Sequence, residues 1–293
     1  YEPFLDRQHD SLDLLYGNVH LFSIGHGCDS VVESGENGHT VRSVSLPVVN
    51  VKGVTPDVSA GGHRLHVGMM DLAAMNNHAV EGIERIIQAY GTWIEQEAGR
   101  VPALPTALQP IASRHMQECR RYLGDIAEGW ALVNSDEEVR SCLMDASRAM
   151  NDQRVGYQAD PRPVDTDNQG GFRVLGPDPH AAPSKQSEWR PFQVAFILAS
   201  LPKTVDADHP GRDETDVIWM PTGGGKTEAY LGLSAFVILR EKQQQTKSGN
   251  ARVRNTKVFM RYTLRLLTVQ QLTRAASLIC ALELLRRANT STY

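Results

Sequence analysis

The sequence predicts an α/β protein in two parts, and three features of the chain lead to this prediction. Apolar residues recur with a helical period through residues 71–150, and a stretch rich in Pro and Gly follows over residues 151–188. Beyond it, strand, crossover helix and strand form a βαβ unit, which implies a parallel sheet with a right-handed crossover. We therefore predict a mixed β- and α-helical N-terminal domain over residues 1–185 and a parallel-sheet lobe over residues 186–293.

The N-terminal domain is predicted to begin extended and then to become helical. Residues 1–60 contain segments rich in β-forming residues, and Pro47 within one of them is typical of an edge strand. From residue 71 the apolar spacing predicts three helices. The third begins at Ser135, which Glu138 follows three positions later in the pattern of a capping box. Packing of a hydrophobic core is a sufficient explanation for this helical block.

The second part alternates helices and strands behind a Pro- and Gly-rich linker. Prolines lack the N–H and glycines cost backbone entropy, so residues 151–188 are not expected to form a regular element, and the domain boundary is placed near residue 185. The elements expected after it are a helix, a strand, a helix, a strand and a last helix, over residues 189–201, 216–220, 226–243, 257–262 and 266–287.

The composition excludes several classes of protein. The 293 residues are 41% hydrophobic and 22% charged, as in ordinary globular proteins. The longest apolar run, residues 194–201, is far shorter than the ~20 residues of a membrane-spanning helix, and no secretion signal is evident. The 4 cysteines are scattered without a close pair, which favours a reducing compartment. We therefore expect a cytoplasmic protein that does not enter a membrane.

Charge is unevenly distributed along the chain. The net charge is −4, yet residues 240–287 hold eleven Lys and Arg against two acidic residues, so this basic segment carries +9 and the remainder −13. Such asymmetry is typical of a strip that faces a polyanion on an otherwise acidic body. A solvated helix face followed by a basic loop is the alternative explanation.

The most informative segment is a glycine turn between a predicted strand and a predicted helix. Three glycines, Gly223, Gly224 and Gly225, precede Lys226 and Thr227. Glycines let successive backbone N–H groups turn towards phosphate oxygens, and the following helix start adds free N–H groups and partial positive charge. Lys226 is then expected to reach the β- and γ-phosphates, and the hydroxyl of Thr227 to bind Mg²⁺.

The match to the P-loop pattern is imperfect, because Met220 stands at its first glycine position. The strand–turn–helix context nevertheless favours phosphate binding over a tight turn without a ligand. The motif alone does not distinguish kinases, GTPases, other ATPases and helicases, all of which share it.

Two segments resemble motifs of the superfamily 2 helicases. Met220 to Thr227 is similar to their motif I, in which the first glycine is commonly replaced. Upstream, Trp189-Arg-Pro-Phe-Gln193 resembles the aromatic-Arg-Pro-x-Gln segment that precedes motif I in this superfamily. The resemblance implies a RecA-like lobe that binds ATP with Mg²⁺, in which Gln193 reads adenine and Arg190 and Thr222 also belong to the nucleotide site. An amphipathic core helix is the alternative interpretation of the upstream segment.

A third segment, Thr263 to Gln270, resembles motif Ia of the same superfamily, which holds the backbone of one nucleic-acid strand. By this resemblance the DNA-facing residues are Arg261, Thr263, Arg265 and Gln270. Cations and helix starts bind phosphates with little regard to base, which suits such a role. Thr263 replaces the proline usual in the motif, and an ordinary strand-to-helix turn with a surface arginine is the alternative.

A more specific resemblance is to the helicase-like subunit of the DISARM anti-phage defence system. It is carried by the sequence of residues 259–271, together with the glycine turn and the segment 189–193. The close resemblance covers residues 189–275, about a third of the chain. It implies ATP-driven engagement of DNA, a role in bacterial defence and a large partner subunit.

The sequence also departs from the superfamily pattern. Superfamily 2 motors need an Asp-Glu pair after a later strand and an arginine from a second lobe, and neither follows Thr227 here. We therefore expect this chain to be the N-terminal part of a longer protein. It should bind the nucleotide but should not hydrolyse it on its own. A non-helicase P-loop enzyme, such as a small-molecule kinase or GTPase, and a protein-docking role for residues 1–185 are the other functions that the sequence leaves open.

Overall fold

The computed structural model describes most of the chain, and its described residues divide into two compact units. One unit draws on residues 1–54 and 93–120, and the other on residues 55–92 and 121–293. The predicted domain boundary near residue 185 lies outside the described residues and stays a prediction. The structure describes residues 11–12, 14–15, 29–35, 38–44, 55–158, 160, 162–166, 171–176, 187–220, 223–249, 256–261 and 267–289.

The described elements mix helices with short strands, which confirms an α/β protein in the broad sense. The strands are β1 (Asp29–Gly35), β2 (Gly38–Val44), β3 (Val58–Ala60), β4 (His63–Leu65), β5 (Val67–Gly68), β6 (Val164–Thr166), β7 (Phe172–Val174) and β8 (Glu188–Trp189). The helices are α1 (Met69–Ala74), α2 (Asn77–Arg100), α3 (Gln109–Ser135), α4 (Glu137–Gln158), α5 (Pro191–Val205), α6 (Lys226–Lys247) and α7 (Leu272–Ala288), with a 3-10 turn at Val101–Ala103 and a π-turn at Leu267–Gln271. Among these helices, none combines the length and apolar character that a membrane crossing requires.

The sheets are small and antiparallel. Across the described ranges each sheet is a two-stranded pair, namely β1 with β2, β3 with β4, β5 with β8, and β6 with β7. The predicted parallel sheet is therefore not formed by the residues that the structure describes.

The two segments predicted as parallel strands, 216–220 and 257–262, form no ladder among the described residues, so their parallel pairing stays a prediction. Their side chains nevertheless alternate as in a strand. Val217, Trp219 and Phe259 are 80%, 81% and 85% exposed, whereas Ile218 and Met260 pack against the core. A strand is defined by hydrogen bonds to a neighbour, and local sequence does not supply that neighbour.

Two further predictions about element ends also need correction. Ser135 is the last residue of α3, and Asp136 caps α4 instead, with Oδ1 accepting from the N–H groups of Glu138 at 2.8 Å and Val139 at 3.0 Å. Aspartate is as good an N-cap as serine, so the shift by one residue carries no penalty. The linker prediction for 151–188 was also too broad, because α4 continues to Gln158 and β6 pairs with β7.

The first unit contains the β1–β2 hairpin and the neighbouring ends of α2 and α3. Gly38 has φ +125° where β2 begins, a conformation that favours glycine. Arg120 of α3 binds Glu95 of α2 through two hydrogen bonds of 3.0 and 3.2 Å. The hydrogen bonds and charge of Arg120 lower the pKa of Glu95.

The core of the second unit joins the helical block to the segment that carries the glycine turn. α4 packs against α1, α6 and α7, and α5 packs against α6. Trp189 at the end of β8 is 2% exposed and donates its indole N–H to Ser147 Oγ at 2.9 Å, while Ser147 donates to the carbonyl of Met69 at 2.8 Å. This chain of bonds fixes the start of α5 to α4 and α1.

Gly129 allows α3 and α5 to approach closely. A Cβ placed on Gly129 would lie 1.9 Å from the carbonyl oxygen of Leu198, which belongs to the backbone of α5 and has little room to move. A Cβ on Gly124, in the same helix, would meet nothing within 4 Å.

We predict opposite effects for alanine at these two glycines. Gly129→Ala should lower the free energy of unfolding by about 3 kcal/mol or more, because the methyl group forces α3 and α5 apart. Gly124→Ala should raise it by about 0.5–1 kcal/mol, since alanine is the better helix former at an open position. Urea denaturation of the two variants measures both effects, and a tolerated Gly129→Ala would contradict the close packing.

Candidate functional site

The glycine turn ends directly at the start of α6. Gly223 and Gly225 have φ of +81° and +92°, left-handed values that side chains disfavour, and Gly225 is the N-cap residue of α6. The N-cap glycine has no side chain to cap the helix, and within the described part of the chain the first N–H groups of α6 are therefore available to an anion. A Cβ on Gly223 would meet none of the described residues within 4 Å, so the turn is open towards that side among them.

Two side chains from the start of α5 hold the carbonyl side of the turn. Arg190 donates to the carbonyl of Gly224 at 2.7 Å, and Gln193 Nε2 donates to the carbonyl of Gly225 at 2.8 Å. The carbonyl and the N–H of a trans peptide point in opposite directions. These two bonds therefore turn the N–H groups of Gly225 and Lys226 away from α5, as a phosphate cradle requires.

Gln193 makes two hydrogen bonds within the protein. Its side-chain oxygen accepts from the N–H of Arg190 at 2.8 Å, its nitrogen donates to Gly225, and the residue is 2% exposed. The sequence assigned Gln193 to adenine. The structure places it against the turn, and adenine recognition stays a prediction.

Two further residues assigned to the nucleotide, Lys226 and Thr227, lie at the end of the turn in the structure. Lys226 begins α6 and donates a hydrogen bond from Nζ to the carbonyl of Met220, so its ammonium group folds back over the turn. Thr227 follows in the first turn of α6 and is half-buried. Thr222 lies outside the described residues.

Sequence reasoning missed Asp57, which contacts the site from the segment before β3. Asp57 Oδ1 lies 4.0 Å from Arg190 Nε and 3.3 Å from Arg64, which also binds Glu188 at 2.7 Å. Hydrogen bonds to Glu188 and then to Asp57 raise the pKa of Arg64. These groups are largely exposed, so the contact orients Arg190 more than it stabilises the fold. No local pattern signals it, since Asp57 is more than 130 residues from Arg190.

The residues assigned to DNA are only partly described. Arg261 and Gln270 are exposed, Gln270 within the π-turn Leu267–Gln271. Thr263 and Arg265 lie outside the described residues, so the grouping of the four stays a prediction.

The basic segment is less available to a polyanion than its composition indicates. Among the described residues, six of its eleven cations pair with carboxylates: Arg240 and Lys247 with Glu138, Lys257 with Glu241, Arg274 with Glu228, and Arg286 and Arg287 with Glu283. Glu241 and Glu283 are already counted in the +9, so Glu138 and Glu228 from outside the segment lower its net charge only to +7. Arg261 has no ion pair within the described part of the chain.

We predict unequal costs for alanine at the two left-handed glycines. Gly223→Ala should lower the free energy of unfolding by roughly 1–2 kcal/mol, the cost of a left-handed alanine. Gly225→Ala should cost clearly more, because its Cβ would lie 2.7 Å from Gln193 Nε2 and 3.1 Å from the Arg190 guanidinium. Chemical denaturation compares the two variants, and equal losses would contradict the bracing of the turn by α5.

Comparison with known proteins gives one relative and no family assignment. No family model matches the chain. The chain is 28% identical over 294 positions to the DISARM protein DrmA of Bacillus paralicheniformis (strain ATCC 9945a / NCIMB 11709 / CD-2), a match that covers 96% of this chain and 25% of DrmA. The chain therefore spans about a quarter of the length of this relative. The similarity runs through both units and supports a DrmA-like relationship.

Proposed function

We propose that this chain binds ATP with Mg²⁺ at residues 223–227, as the nucleotide-binding part of a superfamily 2 DNA helicase or translocase. The observation that carries the proposal is the bracing of the turn. Arg190 and Gln193 hold the two carbonyls, the left-handed glycines leave the opposite side open, and α6 begins at Lys226 without a side-chain cap. These features suit a triphosphate better than a ligand-free turn.

The residues fit the proposed cofactor. Lys226 would exchange the carbonyl of Met220 for phosphate oxygens, and the hydroxyl of Thr227, the next residue in the helix, would bind Mg²⁺. When it is bound, the magnesium ion would neutralise part of the negative charge of the phosphates. Gln193 is assigned to adenine in this proposal through the second N–H of its amide, which leaves the bond to Gly225 in place.

A RecA-like parallel sheet is part of the same proposal. The alternating exposure of residues 217–219 and of Phe259 and Met260 is that of strands with one face on the core. Partners for these strands are proposed to come from parts of the protein outside the described residues, as are an Asp-Glu pair and a second lobe.

We further propose a DNA-facing role for Arg261, Thr263, Arg265 and Gln270, and a function in bacterial anti-phage defence with a partner subunit in the cytoplasm. The similarity to the DISARM protein DrmA supports the defence role. The exposure of Arg261 and Gln270 is compatible with phosphate contacts.

The pairing of six cations in the basic segment favours a second candidate, a P-loop enzyme that acts on a small molecule and ignores nucleic acid. DNA stimulation of ATP hydrolysis by the natural protein separates the two functions. A helicase should hydrolyse faster on DNA, whereas a small-molecule kinase or a GTPase should not respond.

We predict that Lys226→Ala weakens ATP–Mg²⁺ binding by about 10- to 100-fold, the loss of a charge-assisted hydrogen bond to phosphate. Lys242→Ala is the matched control, because Lys242 lies far along the same helix from the glycine turn and its ammonium group donates to Gln245 at 3.1 Å. Titration calorimetry of the 293-residue chain measures the affinity, and DNA-stimulated hydrolysis by the natural protein should fall in parallel. Unchanged binding and hydrolysis in Lys226→Ala would refute the proposed site.

A further inference from the structure

An acidic residue stands unusually close to the proposed phosphate site. Glu228 follows Thr227 in the first turn of α6, and a Cβ placed on Gly225 would lie 3.5 Å from Glu228 Oε2. The Glu228 side chain is 20% exposed, so water screens its charge only in part. A carboxylate at this position stabilises the N-terminus of α6 when no ligand is bound. When an anion binds, the carboxylate competes with it for the partial positive charge of the helix start.

Arg274 neutralises this carboxylate from another helix. It lies in the first turn of α7, is 13% exposed, and forms an ion pair and hydrogen bond with Glu228 Oε1. Its guanidinium carbon lies 5.9 Å from the centre of the Tyr157 ring at the end of α4, within range of a cation–π contact. Arg274 is thus held between α4 and α6.

The pair connects two regions that the sequence assigns to different ligands. Glu228 directly follows the proposed ATP site, and Arg274 follows Gln270 by about one helical turn. Removing Arg274 would leave a mostly buried carboxylate without its partner beside the phosphates, whereas removing Glu228 would leave a positive charge there.

We propose that Arg274 is a positioning residue for the nucleotide site: it cancels and fixes the charge of Glu228, so that affinity for a nucleoside triphosphate depends on where α7 lies. This inference rests on the proposed ATP site. It also gives a physical route by which movement of the segment before α7 changes nucleotide affinity, because the ion pair lengthens as α7 shifts.

The test is a double-mutant cycle read in affinity for ATP–Mg²⁺ and ADP–Mg²⁺, with a fluorescent nucleotide analogue as the displaced probe. Arg274→Met should weaken ATP binding about 10-fold and ADP binding less, because repulsion grows with phosphate charge. Glu228→Gln should bind ATP at least as tightly as the unmodified chain. The ATP affinity of the double variant should lie within about 3-fold of that of the unmodified chain, which is a clear departure from additivity.

The different responses of the two single variants, weaker ATP binding in Arg274→Met and no weakening in Glu228→Gln, separate a charge effect from a merely structural ion pair. If the pair only fastens α6 to α7, both single variants weaken binding alike, ATP and ADP respond equally, and the proposal is overturned. Glu228→Gln keeps the proposal testable even if Arg274→Met does not fold, since weaker ATP binding in Glu228→Gln contradicts it directly.

A matched control lies on the same helix. Glu241→Gln removes a carboxylate that pairs with Lys257 at 3.0 Å, far along α6 from the glycine turn, and should leave nucleotide affinity unchanged. If the unmodified chain and Lys226→Ala bind ATP equally poorly, the proposed function fails and this inference with it. If the unmodified chain binds ATP and Arg274→Met binds it as tightly, this inference alone fails.

Discussion

The candidate site depends on two hydrogen bonds, from Arg190 to the carbonyl of Gly224 and from Gln193 to the carbonyl of Gly225. Each holds a peptide plane that has no side chain of its own to fix it. Because a peptide carries its donor opposite its acceptor, fixing the carbonyls also fixes where the N–H groups point. A glycine turn is otherwise the most mobile kind of backbone, so its order has to come from outside the turn.

That order originates in the core. Pro191 starts α5 at the first helical position, where its missing N–H costs nothing, and Trp189 anchors the preceding strand through Ser147. A Cβ on Gly232 would lie 2.6 Å from the Trp189 ring, so α6 lies directly against the same indole. The start of α5 and the helix that follows the turn are therefore positioned by one buried side chain.

The parts predictable from sequence are those that depend on near neighbours along the chain. The helical period of the apolar residues predicted α2, α3, α4 and α6 close to their observed positions, and the three glycines predicted the turn. Both signals are local in the sequence. The parallel pairing predicted for 216–220 and 257–262 could not be established from the sequence, because a ladder needs a distant partner. No local pattern encodes the tertiary contacts between residues that are tens to more than a hundred positions apart. These contacts include the bond of Gln193 to the turn, the contact of Asp57 with Arg190 and the pairing of Arg274 with Glu228.

The charge split of the sequence has a different meaning once the folded contacts are known. Carboxylates of the acidic body, Glu138 and Glu228, reach across to cations of the basic segment. These pairs hold α4, α6 and α7 together at partly buried positions, where an unpaired charge would be costly. Within the described part of the segment Arg261 has no ion pair, so in the proposed function Arg261 and the start of α6 are the expected contacts for a polyanion. Each phosphate contact displaces counterions and so raises the affinity for the strand. A small number of contacts at defined points therefore suits a protein that has to dissociate from a strand and bind it again.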